Sequence, residues 1–435
     1  MFFLSTSDRR KLFMQLPLSY FFAEVYLITI IILNALVERK SSSSALLFIL
    51  LVGVMAALSI TAEKKLLIAS LTFISLMQVF YSLLNYSSTR IFLFLLLATV
   101  FFYIIKAFRF KYGDSLLKNI LYVGVLHVIL CFFETFTHYN PFISLLGIEA
   151  FNGDSTSSYR ATGITAHPIT GSVFSISIAI IALGFYNQSR NKRYLLLSTL
   201  SLVTTVLMQT RSVYVVMMCT LLILLAIKKH KKVSEIRIRI FPVLLFIFLA
   251  VIFFSISVSP NSYLYSMTFG RFSTLLDSGS FLQRSGSISF LLQYLSKKMT
   301  LATFLGNGFG SLAHYLNVNN IYFVSKDFFT VDNQYVTAFF EIGILGYMLF
   351  LILLSLILIP GFKTMHMSDI SIVRMIGTPQ AMCIALLFSV FFFECYDKPV
   401  VLCMLMLALA FCSSFREKCS ARKVAHFGSW PSMER

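Results

Sequence analysis

The chain has 435 residues, of which 58% are hydrophobic and only 12% are charged, and its formal net charge is +18. Soluble domains carry about 25% charged residues, so this composition excludes a water-soluble fold. The Lys and Arg residues fall mainly in short segments between apolar runs, where they set membrane topology and contact anionic lipid headgroups. This placement argues against nucleic acid as a partner.

A helix that crosses a bilayer needs about 20 mostly apolar residues, and the sequence contains about twelve such segments. It therefore predicts an all-α fold, a polytopic transmembrane helical bundle in which residues 1–435 form a single integral membrane domain. In chain order the predicted spans are 16–36, 45–60, 66–84, 91–105, 119–137, 169–186, 194–209, 212–227, 240–259, 336–359, 380–394 and 399–415.

Charge divides the segments between these spans into two sets. Alternate connections, together with both ends of the chain, hold 25 of the 36 Lys and Arg residues. Because cytoplasmic loops are rich in Lys and Arg, both termini are predicted in the cytoplasm, with 416–435 as a basic cytoplasmic tail. Two long loops, 138–168 and 260–335, then face outward. Long loops on a compact scaffold are usually functional, so an active site is expected on this outer side.

The second long loop contains the sequence QRSGSISFLLQYLSKK, in which Arg284, Ile288, Leu291 and Leu295 recur three or four residues apart. This spacing predicts a short amphipathic helix. Arg284 shares the face of the apolar residues, so it requires either an anionic partner or a path back to water.

Arginines on the outer side are the first candidates for chemistry. Arg160 precedes the predicted sixth span, Arg211 interrupts a very tight turn, and Arg284 lies in the second long loop. Guanidinium groups stay charged and bind phosphate oxygens through two parallel hydrogen bonds, so the three would suit a lipid pyrophosphate. The alternative for each is a side chain that only reaches the membrane interface. The tight turn makes this alternative weakest for Arg211.

Residues able to transfer a proton are few on this side. His167 is either a base or a structural histidine, Asp332 is either a base or a helix cap, and Glu341 lies about two turns into a span, where an unpaired carboxylate is costly. Gly306 and Gly308, in LGNGFGS, permit a tight turn, and a nucleotide-binding loop is rejected because no strand precedes them. No spacing of histidines indicates a metal site.

Three passages occur in an order seen in one known family: YRATGITAHPITG, QTRSVY and the block LGNGFGS…VDNQYVTAFFEIGILGY. By these passages the chain, from about residue 150 to 360, resembles bacterial O-antigen polymerases and ligases, the Wzy-type superfamily of integral membrane glycosyltransferases. The polymerases carry an Arg-x10-Gly pattern in an outer loop, which Arg160 and Gly171 match. Arg211 and Arg284 correspond to the family's other outer arginines.

The same block separates the two activities of this superfamily. Its ligases typically have a histidine ahead of an asparagine that is followed by a GxxG pattern. Here Asp332 stands before Asn333, with Gly343 and Gly346 beyond. This difference favours a polymerase.

The resemblance implies inverting glycosyl transfer at the outer face of the bacterial plasma (inner) membrane, with neither cofactor nor metal. The partners would be an undecaprenyl-pyrophosphate-linked oligosaccharide, membrane lipid and, for chain-length control, a separate regulator protein. The three arginines would stabilise the leaving pyrophosphate, and Asp332, His167 or Glu341, in that order of preference, would accept the proton. An O-antigen ligase that acts on lipid A core, and a transporter or flippase of the same lipid-linked sugars, stay open as alternatives.

Replacing Arg160 or Arg211 by alanine is expected to abolish the long-chain polysaccharide ladder, because the leaving pyrophosphate loses a guanidinium partner. Lysine should rescue poorly, since an ammonium group lacks the forked donor geometry. Gel analysis of surface polysaccharide measures both effects, with immunoblots of membranes to show that each variant inserts. An unchanged ladder in both alanine variants would contradict the mechanism.

Overall fold

A computed structural model describes the chain from residue 17 to residue 427, except for several internal segments. Arg211, the predicted span 240–259, most of the span 212–227 and the loop residues 260–278 lie outside the described residues. The described ranges are 17–40, 42–84, 86–109, 112–150, 159–210, 212–218, 279–297, 300–321, 331–364, 370–392 and 398–427.

Every regular element in these ranges is an α-helix, as the fold class predicts. The helices named below are α1 (Leu18–Ile32), α2 (Asn34–Arg39), α3 (Ser43–Ile60), α4 (Lys64–Leu84), α5 (Thr89–Phe108), α6 (Gly113–Thr137), α7 (Pro141–Leu145), α8 (Pro168–Ser189), α9 (Lys192–Leu207), α10 (Gly279–Lys297), α11 (Leu301–Leu305), α12 (Ser311–Val318), α13 (Gln334–Thr364), α14 (Ile370–Ser389) and α15 (Pro399–Phe427).

Among the described residues, six helices are long and apolar enough to cross a membrane: α3, α4, α5, α6, α8 and α13. Shorter apolar stretches lie in α1, α14 and α15. The predicted span 194–209 forms α9, which has 16 residues and many hydroxyl side chains. The protein is therefore a helical membrane protein, and the total of twelve spans stays a prediction.

Burial separates interior helices from those at the periphery. In α8, 78% of the membrane-span residues are buried, against 11% in α4 and 17% in α13. Large apolar side chains on the periphery, such as Met55, Leu83 and Phe136, are more than two-thirds exposed. Exposed apolar side chains of this kind are stable in contact with lipid tails but unfavourable in contact with water.

Polar side chains join the interior helices α6, α8 and α9. His127 Nδ1 accepts a hydrogen bond from Ile164 N (3.3 Å), so the neutral ring carries its proton on Nε2, which is 2.9 Å from Ser175 Oγ. Ser175 is in turn 2.8 Å from Thr204 Oγ1, which donates to Ser201 O. Hydrogen bonds of this kind link helices where water is absent. They fix α8, the helix that follows the Arg160 loop.

The glycines of LGNGFGS dock against a break in α13. Gly343 has φ +67°, outside the helical range. A break there deprives the carbonyls of the preceding turn of their i+4 amide partners. Loop amides replace them: Asn307 N donates to Phe340 O (3.2 Å) and Gly308 N donates to Glu341 O (2.9 Å). The predicted tight turn at Gly306 and Gly308 therefore supplies the amides that replace the hydrogen bonds lost at the break in α13.

Gly343→Ala is expected to lower stability by at least about 2 kcal/mol, because alanine resists a positive φ and its Cβ would lie 2.4 Å from Gly306 N. Gly113→Ala is the matched control. Its Cβ would touch only side-chain carbons, the ring of Phe411 at 3.2 Å and Arg109 Cβ at 3.9 Å, so stability should change by less than about 1 kcal/mol. Heating the purified full chain, followed by size-exclusion chromatography, measures both variants. Equal loss in the two would contradict this role for the break.

Candidate functional site

A buried carboxylate holds the loop that carries Arg160. Glu134, near the end of α6, has no exposed surface. Its Oε2 accepts hydrogen bonds from Asn140 Nδ2 (2.9 Å), Thr162 N (2.8 Å) and Gly163 N (2.9 Å). Its Oε1 accepts from Tyr159 Oη (2.8 Å) and Thr162 Oγ1 (3.0 Å). Residues 159–167 form no helix, so their amides need such acceptors. The carboxylate accepts from the amides of Thr162 and Gly163, whereas Ala161 N donates to Leu207 O and Ile164 N donates to His127 Nδ1.

Two glycines allow the loop to lie close to the helices below it. Gly163 has φ +60°, and a Cβ on it would lie 2.4 Å from His127 Nδ1. A Cβ on Gly171, in the first turn of α8, would lie 2.8 Å from Thr165 Oγ1 and 3.0 Å from Thr162 O. The glycine of the Arg-x10-Gly pattern thus has a packing reason: it lets the loop that carries Arg160 fold back over the start of α8.

Arg160 lies against the C-terminal end of α9. Its Nε donates to Met208 O (3.1 Å), and its Nη2 is 3.5 Å from Thr210 Oγ1. Met208 caps α9, and cations are stabilised beside the carbonyls at such an end. Gln209 Nε2 also donates to Tyr159 O (3.1 Å). Arg160 is therefore fixed next to Thr210, the residue that precedes Arg211 in the sequence.

His167 caps the N-terminus of α8, where its Nδ1 accepts from Ile169 N (3.2 Å). Burial lowers its pKa well below the usual value, and the charges of Lys398, Arg160 and Arg39 lower it further. The imidazole is therefore neutral near pH 7. Because Nδ1 is an acceptor, the proton lies on Nε2. His167 is thus arranged as a hydrogen-bond donor through Nε2 rather than as a base through that atom.

The cations around His167 come from distant parts of the chain. Ala35 on α2 packs against Ala166 and Ile143. One helical turn separates Ala35 from residue 39, and residues so spaced share a face. Arg39 is exposed at the end of α2, and its charge acts on His167. Neither Arg39 nor Lys398 is among the candidates predicted from the sequence. Both belong to the eleven Lys and Arg residues predicted on the outer side, where the topology rule disfavours basic residues. This placement could have identified them.

Lys398 and Glu38 form an ion pair in this cluster. Lys398 Nζ is 3.0 Å from Glu38 Oε1, across 360 residues of sequence. Glu38 is buried, and Arg90 donates through Nη2 to its backbone carbonyl. Hereafter, the Arg160 cluster means Arg39, Arg160, Lys398, His167 and Glu38. Three cations and one carboxylate give it a net positive charge, as a site for an anion requires.

The second loop carries a separate group. Arg284, on α10, donates to Phe392 O from Nε (3.1 Å) and Nη2 (2.8 Å), and its Nη2 is 3.9 Å from Asp332 Oδ2. Burial lowers the pKa of Arg284, and the charge of Asp332 partly opposes this. An arginine in fact retains its proton near neutral pH. Of the two possibilities predicted for Arg284, an anionic partner or a path back to water, the structure provides the partner, Asp332.

The remaining candidate residues lie at the start of α13 or within its first turns. Asn333, and not Asp332, caps this helix: its Oδ1 accepts from Tyr335 N (3.0 Å) and Val336 N (3.3 Å). Asp332 has φ +50° and a side chain that is 25% exposed. Glu341, by contrast, is 1% exposed. Of the two carboxylates, Asp332 is the one that a ligand at the surface can reach.

The chain between Phe392 and Lys398 limits the distance from one group to the other. Phe392 contacts Arg284, and Lys398 belongs to the Arg160 cluster. Six residues span at most about 22 Å. Arg160 and His167 are thus brought together, Arg284 and Asp332 are brought together, and the Cα atoms of Phe392 and Lys398, which link the two groups, lie no more than about 22 Å apart.

No protein-family model matches this chain, and no curated protein matches it at a significant level of sequence similarity. The link to O-antigen polymerases and ligases therefore stays a resemblance based on the three passages.

Glu134→Ala is expected to release the Arg160 loop, because it leaves Thr162 N and Gly163 N without their acceptor, at about 1–3 kcal/mol for each buried group; Asn140 Nδ2 keeps its bond to Gly163 O (2.7 Å). Glu134→Gln is the matched control. Its carbonyl oxygen can take the place of Oε2, while the hydroxyls of Tyr159 and Thr162 turn to accept from its amide.

Hydrogen exchange of the peptide that contains Thr162 and Gly163, followed by mass spectrometry, tests this. Exchange should be much faster in Glu134→Ala and close to the wild-type rate in Glu134→Gln. Wild-type exchange in Glu134→Ala would show that the carboxylate does not hold the loop.

Proposed function

We propose that this protein is a polysaccharide polymerase that joins undecaprenyl-pyrophosphate-linked oligosaccharide repeat units by inverting glycosyl transfer. One observation carries the proposal: the charges of Arg39, Arg160 and Lys398, from three separate parts of the chain, all act on the buried His167 in a helical membrane protein. Fixed cations beside apolar helices suit an anion that arrives on a lipid. The type of reaction is inferred from the three sequence passages that resemble the Wzy-type superfamily.

The proposed reaction forms one glycosidic bond and breaks one bond to pyrophosphate. A hydroxyl oxygen of the incoming repeat unit attacks the anomeric carbon of the growing chain, and the bond from that carbon to the pyrophosphate oxygen breaks. The electron pair leaves with the pyrophosphate, which gains negative charge. In this proposal Arg160, with Arg211 next to Thr210, stabilises that charge, and the Nε2 proton of His167 donates a hydrogen bond to it.

The hydroxyl proton requires an acceptor. Asp332 is the first choice, since its carboxylate is part-exposed, whereas Glu341 is buried. Arg284, 3.9 Å from Asp332, would then orient the base or receive the pyrophosphate. The neutral state of His167 and the use of its Nδ1 as a helix cap favour a donor role for it. In these assignments the pyrophosphate leaves at the Arg160 cluster, and the hydroxyl proton is accepted at the group formed by Arg284 and Asp332.

The proposed setting is the bacterial plasma membrane, with both termini in the cytoplasm. What supports it is charge placement: the cations of the Arg160 cluster all come from connections predicted on the outer side. The ion pair of Lys106 with Glu63 (2.5 Å) comes from connections predicted on the cytoplasmic side. Lipid-linked repeat units would then be joined outside the cell, where a separate protein could control chain length.

Reconstitution of the purified full chain with lipid-linked repeat units tests the proposal. The wild type should produce a ladder of chain lengths and release one undecaprenyl pyrophosphate for each linkage. Arg160→Ala should be slower by on the order of 100-fold, the usual loss for one group that stabilises a leaving oxyanion. Arg193→Ala is the control, since Arg193 is exposed in the first turn of α9, at the end opposite Met208, and should leave the rate unchanged.

Deletion of the gene in its host separates the proposal from its rivals. Loss of polymer with a single repeat unit still attached to core supports a polymerase. Loss of every attached unit indicates a ligase, and accumulation of lipid-linked units at the cytoplasmic face indicates a flippase. An active Arg160→Ala enzyme in the reconstituted system would remove the proposed role of the cluster.

A further inference from the structure

The backbone of Lys398 is fixed at the start of α15. Lys398 O accepts from Val401 N and Leu402 N, both at 3.1 Å, and Asn34 Oδ1 on α2 accepts from Val400 N at 3.0 Å. The short helix α2 therefore holds the first turn of α15. Glu38 lies one turn beyond Asn34 on the same face, which puts its carboxylate where the ammonium group of Lys398 ends.

This carboxylate works against the rest of the cluster. Glu38 is 4% exposed and the side chain of Lys398 is 18% exposed. Charges so poorly hydrated interact more strongly than charges in water. Arg39, Arg160 and Lys398 attract an anion to the cluster, and Glu38 repels it. Removing an ammonium group from water is costly without a counter-ion, so Lys398 needs such a carboxylate whenever no other anion is present.

We propose that Glu38 is an internal counter-ion of the site: it holds Lys398 in place before substrate binds, and the pyrophosphate of the lipid then competes with it for the ammonium group. This inference rests on the proposed function, since it assigns a further cation to the same pyrophosphate. It adds Lys398 to the arginines as a group that contacts the substrate. Glu38 acts through Lys398 and is a positioning residue.

Carboxylate and phosphate compete for the same donors. An ammonium group has three N–H donors and binds both kinds of oxygen as a point charge. A phosphate oxygen that approaches Lys398 lengthens its bond to Glu38, and the two anions repel each other. Binding is therefore weaker than the three cations alone would give. Product release becomes easier for the same reason, because Glu38 regains Lys398 as the pyrophosphate departs.

Glu38→Gln separates this role from simple support of the fold. The amide oxygen of glutamine can still accept from Lys398, so the geometry is kept while the negative charge is removed. Affinity for undecaprenyl pyrophosphate should rise by on the order of tenfold, as expected when a nearby like charge is removed. A defect in folding would not tighten binding. Lys398→Gln, which can still donate to Glu38, should weaken binding by about the same factor.

The ion pair of Glu63 with Lys106 provides the control. It lies at the other end of α3, a helix of 18 residues and thus about 27 Å long. Glu63→Gln should leave affinity unchanged. Titration of the full chain in nanodiscs of zwitterionic lipid, read by native mass spectrometry, measures all the variants. Undecaprenyl pyrophosphate and inorganic pyrophosphate serve as separate probes, so that a lipid ligand and a free anion are distinguished.

The outcomes are distinct. Tighter binding of the lipid by Glu38→Gln, with weaker binding by Lys398→Gln, supports the inference. If Arg160→Ala weakens binding but Glu38→Gln leaves it unchanged or weaker, the counter-ion role is overturned and the proposed function stands. If Arg160→Ala binds the lipid as tightly as the wild type does, the Arg160 cluster is not the pyrophosphate site on which the proposed function depends. If inorganic pyrophosphate alone binds, the ligand is a free anion and the lipid assignment is overturned.

Discussion

Five hydrogen bonds to the buried carboxylate of Glu134 are the constraint on which the site depends. The loop 159–167 has no regular structure, yet most of it is buried between helices, where an amide without an acceptor is costly. Glu134 satisfies two of its backbone amides and two of its side chains, and Asn140 ties the same carboxylate to α7. A rigid loop follows, and with it a fixed position for Arg160 and for the histidine that starts α8. Preorganised charge of this kind needs no rearrangement when an anion binds.

Long-range packing then decides which cations join Arg160. Contact of Ala35 with Ala166 joins α2 to the loop, and Asn34 joins α2 to the start of α15. The helix α2, the loop and α15 come from the beginning, middle and end of the chain. Because each is tied to another by a specific contact, the cluster is a consequence of the fold and not of chance exposure of basic residues. This argues against a purely interfacial role for Arg160, the alternative that composition alone left open.

The sequence predicted the class of fold because that depends on composition and on the length of apolar runs, which are local properties. It also selected Arg160, Arg284, His167 and Asp332, and two pairs of these lie together. It did not find Lys398 or Arg39, because contacts such as that of Lys398 with Glu38, 360 residues apart, leave no local pattern. Glu134 is not among the candidates predicted from the sequence, since nothing in its neighbours reveals that it accepts hydrogen bonds from a loop 25 to 29 residues further on. Asp332 was predicted to be either a base or a helix cap, and the cap of α13 is in fact the next residue, Asn333; both residue types are good caps, and only the backbone conformation distinguishes them.

An electron cryomicroscopy map of the full chain in nanodiscs with undecaprenyl pyrophosphate would show whether the Arg160 cluster holds a pyrophosphate carried by a lipid. We expect diphosphate density within hydrogen-bonding distance of Arg160 and Lys398, with the polyprenyl chain running along the exposed helices. Density at the opposite end of the bundle, near Lys106 and Glu63, would contradict it.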